Sequence, residues 1–480
     1  MSVRKALAWA FSAQFVTFTA GFIGSIAIAR LLGPAEMGVY AVAVAVVGVL
    51  GIFATFGVSS YVTKEVDLTE DKLASAFTVN ALINVMMAML LFAGSFVVPE
   101  LMRSDDVGPL LRLLAIQPLI GLFDFRPMAM MQRHMKFGKL AYISAPLAVA
   151  GLVISVTLAS RGFSFYSMAY AALATSTAGM IAANVLGREY VSLRLSLTHW
   201  RELSSFGLKI MSVSGVAQGA QRISDLVLAR VLGIEALGIF SRASNLSNMI
   251  FFNLYGTATR VAFVNLSEEF RKTGELGPVF LRSLELIMGV MWPLLAGIAV
   301  LSGPMIYILY GEQWLAAALP LSILMIAQCI ALCFGMNWEL FVLRGEVGRQ
   351  SKYEIIRSVL GTLAFAFGSI FGLVTAALGR VVETLIGLFL YYPHVQRLAR
   401  VRPSQVSAVY QKSAALTFVA VGPSFVLMAA CGWSPSTPIW SILVAVGIGV
   451  AGWILLLRKV GHPIYGEFER VYSRFRHGAR

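Results

Sequence analysis

Apolar runs of about twenty residues, divided by short polar stretches, follow one another along the whole chain. Each is long enough to cross a hydrocarbon core of about 30 Å as a helix. Fourteen such runs can be drawn, with edges good to a few residues: 8–30, 38–60, 73–98, 109–131, 139–160, 164–187, 204–231, 236–260, 280–302, 314–340, 352–370, 372–393, 410–430 and 438–457. The pattern predicts an all-α polytopic membrane protein with about 14 transmembrane helices. The opening MSVRKALAWAF has the basic flank and apolar run of a signal peptide. The run continues to Ala29, about twice the usual apolar core, so it is read as an uncleaved first span. Connections are short, and no loop is long enough to hold a separate catalytic module.

One stretch occurs twice. Residues 29–40 read ARLLGPAEMGVY and residues 229–240 read ARVLGIEALGIF, so that Arg30, Gly33 and Gly38 recur as Arg230, Gly233 and Gly238. Each copy lies between two apolar runs, at the tip of a helical hairpin. Gly33 and Gly233 suit a left-handed helix C-cap, and Pro34 suits the first turn of the next helix. The small Gly38 and Gly238 are expected to let the two helices of each hairpin approach closely. The repeat predicts two pseudo-symmetric six-helix bundles, 1–190 and 207–400, joined by an amphipathic cytoplasmic linker over 191–206. A further helix pair and a basic tail fill 401–480. Pro118, Pro127, Pro146, Pro293 and Pro320 fall inside expected spans, either as gating points or as fixed kinks.

Composition agrees: 58% of residues are hydrophobic and 13% charged, against about 25% charged in soluble chains. The net charge of +14 is one-sided. Of the 38 Lys and Arg, about 30 gather on the side that holds both termini, which makes that side cytoplasmic. The basic excess is thus a topology signal and a contact with anionic lipid, not a nucleic-acid footprint. The linker GREYVSLRLSLTHWRELSSFG carries Trp200 and Arg201, suited to the membrane interface. Cys329, Cys333 and Cys431 lie in apolar segments and make no disulfide framework. The chain shows no nucleophile, metal or phosphate-loop motif and no His/Cys cluster; nothing in it requires an enzyme.

Candidate chemistry lies in the charges within spans, which are costly in hydrocarbon and mark a pathway or a pairing. Gln218, Gln221, Arg222 and Asp225 share one stripe of the seventh span, Arg242 stands in the eighth, and Arg380 and Glu383 in the twelfth. Arg222 and Arg242 both fall on the order of 15 Å from the second hairpin tip. Asp225 stands at i+3 from Arg222 and Glu383 at i+3 from Arg380, so each pair can be a self-contained ion pair. Arg242 has Gly238, Ile239, Asn245 and Leu246 at those offsets and no acid. It must borrow Asp225, reach the interface, or face a wet cavity that takes anions, for which a planar guanidinium fork is suited. Asp124, Asp225, Glu339 and Glu383 are the acids placed to act as proton or sodium sites, against simple pairing or solvation at a helix end.

The segments ARLLGPAEMGVY, AMMQRHMKFGKLA (129–141), RGFSFYSMAYA (161–171), HWRELSSFGLKI, DLVLARVLGIEALGIFSRA and PMIYILYGEQWLAAALPLSIL (304–324) together resemble the oligosaccharide flippases of polysaccharide biosynthesis, the Wzx type of the multidrug/oligosaccharidyl-lipid/polysaccharide exporter superfamily. The resemblance runs from about residue 5 to about residue 460. A Tyr is usual where Phe240 stands, and a Pro-Ser-like pair where Val264 and Asn265 stand.

The resemblance implies two bundles facing a central cavity in the bacterial inner membrane. It also implies transfer of an undecaprenyl-diphosphate-linked oligosaccharide to the periplasmic leaflet by alternating access, for exopolysaccharide, O-antigen or capsule synthesis. No cofactor is expected beyond H⁺ or Na⁺ coupling; the expected partners are a polysaccharide polymerase and a chain-length regulator. The rival readings are a cation-coupled multidrug exporter, in which acids would dominate the cavity, a polymerase or ligase, which would carry a sizeable periplasmic loop, and a non-transporting scaffold of the assembly complex.

Overall fold

The computed structural model describes residues 3–54 and 56–466, and among them every regular element is helical. Most of the basic tail expected after the last span lies outside the described residues. The chain divides into two compact units, Met1–Gly238 and Ile239–Arg480. The first contains α1 (Val3–Leu31), α2 (Pro34–Ala54), α3 (Val58–Lys64), α4 (Glu70–Met102), α5 (Val107–Leu114), α6 (Ile116–Arg133), α7 (Phe137–Ser160), α8 (Tyr166–Leu186) and α9 (Trp200–Leu232). The next helix, α10 (Ile234–Thr273), begins in the first unit and runs into the second. There it is followed by α11 (Gly277–Val300), α12 (Ser302–Tyr310), α13 (Ala318–Leu332), α14 (Asn337–Leu343), α15 (Val347–Phe371), α16 (Leu373–Ala399), α17 (Pro403–Ala430) and α18 (Ile439–Val460).

Among the described residues, twelve helical segments are long and apolar enough to cross a membrane. The all-α polytopic architecture is therefore as expected, with the count at twelve by that measure. The expected seventh and eighth spans correspond to α9 and α10, which are 33 and 40 residues long. They carry the charges at Arg222, Asp225 and Arg242 and stand outside the twelve.

The hairpin tips differ from each other for a local reason. Gly233 closes α9 with φ +95°, a conformation that favours glycine. Gly33, expected to match it, is not at positive φ, because a residue before proline is held in the extended region and Pro34 follows. Its N–H instead donates to Glu36 Oε2 at 2.8 Å, so the carboxylate caps α2 from within. Pro34 opens α2 as expected.

The close approach made by Gly38 and Gly238 is also not the expected one. A Cβ built on Gly38 would stand 2.1 Å from the Ile234 carbonyl oxygen, and one on Gly238 would stand 2.0 Å from that of Pro34. These glycines join one repeat to the other rather than the two limbs of one hairpin. Within the first unit α1 packs along α7 and α2 along α9. The α2–α9 contact continues where Gly48 faces Arg222, Gly219 faces Ile52 and Gly207 faces Phe56, so the two helices run antiparallel. Because of it α9, expected to open the second half, falls in the first compact unit.

The linker is amphipathic, but with a period of two rather than a helical one. Residues 191–197 form no helix. Ser196 N donates to Thr78 Oγ1 at 2.9 Å, and Arg194 pairs with Asp71 at 2.7 Å. The alternate residues Val191, Leu193, Leu195 and Leu197 stay exposed. This suits an edge lying in a membrane interface. The helix α9 then starts at Trp200, with Leu203 buried in a core cluster of α3, α4 and α6 that includes Val62, Phe77 and Phe125.

Of the five prolines, Pro127, Pro146 and Pro293 lie inside helices. Pro118 and Pro320 instead occupy the first turns of α6 and α13, where proline lacks only an N–H the helix would leave unpaired. In the second unit α15 packs along α16, α11 along α17, and α17 along α18. After α18 the chain folds back, so that His462 and Ile464 are buried over Gly289 of α11.

Candidate functional site

The residues singled out from the sequence fall into two kinds of environment. On α9 the Arg222 guanidinium lies along α2, over Gly48, where an ideal Cβ would come within 2.6 Å of its Nε. The side chain is 41% exposed, and its nearest Asp225 oxygen is 3.6 Å away. That separation is a charge contact beyond normal hydrogen-bond length. Among the described residues Arg222 makes no hydrogen bond, so its fork of donors remains available. On α10 Arg242 is 7% exposed, and its guanidinium stands 5.8 Å from the ring centre of the fully buried Trp314. An aromatic face is a favourable backing for a guanidinium that has left water.

The third arginine is committed. Arg380 donates to Glu383 Oε2 at 2.8 Å and stacks 4.4 Å from the centre of the Phe365 ring. The other oxygen of Glu383 accepts from Arg357 Nη1 at 2.6 Å. Arg357 also donates to Glu354 from Nε and Nη2, and Tyr391 donates its hydroxyl to Glu354 Oε2 at 2.9 Å. Gly361 makes room for the Glu383 side chain, since a Cβ there would stand 2.3 Å from Glu383 Cγ. Two arginines and two glutamates thus close into a neutral network between α15 and α16. The null charge matters, because an unpaired buried charge would keep its full desolvation cost; within the network Arg380 Nη2 is left without a hydrogen-bond partner.

Sequence reasoning missed Glu354 and Arg357, although both fall inside the expected span 352–370. With α15 starting at Val347, Arg357 stands ten residues in, about 15 Å along the axis. Its i+3 spacing from Glu354 was the available signal.

The two remaining acids are placed apart from these groups. Asp124 on α6 and Glu339 on α14 are both half-buried, and neither forms an ion pair among the described residues. Neutral polar groups bond locally: Gln117 donates to Ser176 at 3.3 Å and Asn84 to the Asn80 carbonyl at 2.9 Å. Among the described residues no cluster of three or more His, Cys, Asp or Glu could hold a metal ion.

A cavity of about 460 Å³ opens in the first unit between the end of α3 and the start of α9. Its walls include Tyr61, Lys64, Glu65, Glu202, Ser205 and Phe206, none of which the sequence pattern had marked as a site. Tyr61 donates its hydroxyl to Glu202 Oε1 at 2.9 Å. Burial first, and the Glu202 carboxylate second, hold that phenol well above its usual range, so it remains a donor.

Comparison with known proteins adds the following. Residues 27–319 match the family described as polysaccharide biosynthesis protein. The lipopolysaccharide biosynthesis protein WzxC of Escherichia coli (strain K12) is 22% identical over 391 residues, covering 80% of this chain and 79% of its own. The succinoglycan biosynthesis transport protein ExoT of Rhizobium meliloti (strain 1021) is 24% identical over 378 residues, covering 78% of this chain and 76% of its own. Among solved structures, the lipid II flippase MurJ in an inward closed conformation superposes with a TM-score of 0.75. It does so at 15% identity, over 94% of this chain and 99% of the other.

Proposed function

The chain belongs to the polysaccharide biosynthesis protein family, and from that premise we propose that it is a flippase of lipid-linked oligosaccharide. Its substrate on this reading is an undecaprenyl-diphosphate-linked glycan, carried across the bacterial inner membrane to the periplasmic leaflet by alternating access. The observation that carries the reading is Arg222, a partly exposed guanidinium within a helix packed among spans, whose donors are not used by Asp225 at 3.6 Å. An arginine facing hydrocarbon in that state would be costly. Water or an anionic headgroup removes the cost.

A diphosphate cannot cross hydrocarbon with its hydration intact or without it. Arginine lowers that barrier because its planar fork replaces two of the lost water contacts at once. We assign this role to Arg222 and Arg242. Arg380, held by Glu383 and backed by Phe365, contributes to the rigidity of α15 and α16. The acids that pair with no base among the described residues, Asp124 and Glu339, are where coupling to H⁺ or Na⁺ would act; Asp225 and Glu383 already face arginines. Both termini are assigned to the cytoplasm on the distribution of Lys and Arg.

The test is translocation of a fluorescent undecaprenyl-diphosphate oligosaccharide in proteoliposomes, with the parent protein beside Arg242→Ala. Transport by the parent and its loss in a folded Arg242→Ala protein is the expected result. A parent protein that leaves the lipid in its original leaflet, across a panel of native lipid-linked sugars, sinks the proposal.

A further inference from the structure

We propose that the cavity between α3 and α9 is a sugar-binding subsite, which takes a pyranose ring of the glycan separately from the diphosphate. The inference rests on the flippase reading and adds a recognition site to it. Its volume of about 460 Å³ lies within the range of small-molecule sites, roughly 300–1,000 Å³. What decides the ligand is the chemistry of the wall. Two carboxylates, an ammonium and a hydroxyl (Glu65, Glu202, Lys64 and Ser205) stand around the Phe206 ring, with Tyr61 buried at the floor. A polyprenyl chain would strand those charges. A diphosphate would meet two carboxylates. A pyranose has an apolar C–H face to rest on a ring and adjacent hydroxyls that donate to a carboxylate, so it satisfies both halves of the wall.

The wall is also held in place. Tyr61 is 4% exposed and belongs to the core cluster beneath the cavity. Its hydroxyl fixes Glu202 through Oε1, while Glu202 Oε2 lies 3.8 Å from His199 Nδ1, too far for a hydrogen bond. The Phe206 ring meets the Tyr61 edge at 5.7 Å between centres, and the Lys64 ammonium stands 5.7 Å from its own centre. The turn after α3 is clamped by Arg133, which donates to the carbonyls of Val62 and Glu65 at 2.6 Å each and to that of Val66 at 3.3 Å. Lys72 pairs with Glu65. A surface formed by chance need not have its aromatic and acidic groups anchored from behind in this way.

The experiment uses the full-length protein in lipid nanodiscs and two probes: the lipid-linked oligosaccharide extracted from cells that make this protein, and undecaprenyl diphosphate without sugar. Dissociation constants are measured for the parent, for Ser205→Trp, which fills the cavity from an exposed position, and for Glu202→Gln, which keeps the acceptor for Tyr61. Parent transport is measured alongside. The expected result is a Kd about tenfold weaker for the glycolipid in both variants, as loss of one or two polar contacts gives, with undecaprenyl diphosphate unchanged. Equal weakening for both probes would make the cavity a phosphate site and overturn the proposal. Parent transport with unchanged glycolipid binding in both variants overturns the subsite alone. A parent that neither binds nor transports the glycolipid overturns the flippase reading itself.

Discussion

Arg222 with Asp225 and Arg380 with Glu383 are the same motif in the sequence, an arginine and an acid three residues apart on a membrane helix. They meet different ends. On α9 the pair stays open at 3.6 Å with the arginine partly exposed. On α16 the pair closes at 2.8 Å and is extended by Arg357, Glu354 and Tyr391 into a neutral network. The difference lies in what each helix packs against. The α16 pair faces α15, which brings a second arginine and a second acid. On α9, Arg222 lies over Gly48 of α2, which has no side chain to offer it. A charge in a membrane helix is therefore structural or functional according to its neighbour helix, and the i+3 spacing alone does not decide it.

The largest expected effect comes from breaking the closed network. Glu383→Ala leaves Arg357 and Arg380 facing each other without their shared acid, and should destabilise the protein by about 3 kcal/mol. A thermal melt in detergent measures it, and a melting temperature equal to the parent's would show that the network is not what holds α15 to α16. Next comes Arg222→Ala. Because the side chain makes no hydrogen bond among the described residues, the melt should barely move, while transport should fall about tenfold or more if it grips phosphate. A melt that falls with transport intact would reverse the comparison.

A smaller effect follows from Gly48→Ala. The new Cβ displaces Arg222 at its Nε, Cδ and Cγ, a flexible chain that can move aside. Transport should fall severalfold for a stability change under about 1 kcal/mol, and unaltered transport would detach Arg222 from the substrate.

The smallest concerns another open contact, made by the turn that follows α18. His462 Nε2 lies 3.8 Å from Glu285 Oε1, whose other neighbour is Lys412 at 3.0 Å. Burial and Lys412 lower the His462 pKa below its usual value, and Glu285 does not compensate. The sign follows from linkage: the folded state binds the proton less well than the unfolded one. The associated stability is present above the unfolded value near 6.5 and is lost as pH falls through the lower folded value. Between pH 7.5 and pH 5.5 the parent should lose more melting temperature than His462→Phe. Parallel pH profiles would show that this contact holds its charge after all.

These contrasts mark how much could be read from the sequence. Twelve of the fourteen spans, the helical class and the two-copy motif were legible because apolar run length and a 200-residue offset are properties of the chain alone. Pro34 at the start of α2 was legible too, since proline acts on its own turn. What failed depended on residues far away or on two local rules in conflict. Gly33 carries the C-cap signal of Gly233, but the proline after it forbids the conformation. Gly38 signals close approach, yet its partner is the other repeat, 196 positions on at Ile234. The Glu354–Arg357 half of the closed network was missed because what joins it to Arg380 is Glu383, on another helix. The cavity between α3 and α9 is built from segments that only the fold brings together.

The contact of Gly38 with the Ile234 carbonyl and of Gly238 with that of Pro34 is reciprocal: each repeat offers the other the same small residue and the same oxygen. That is the form of an isologous interface, the kind two identical subunits make about a two-fold axis. Away from this joint the two repeats differ in charge: Arg222 and Arg242 stand where the first repeat has Phe22 and Val42. At the joint itself neither glycine can be exchanged, because a methyl group on either would overlap the facing carbonyl oxygen.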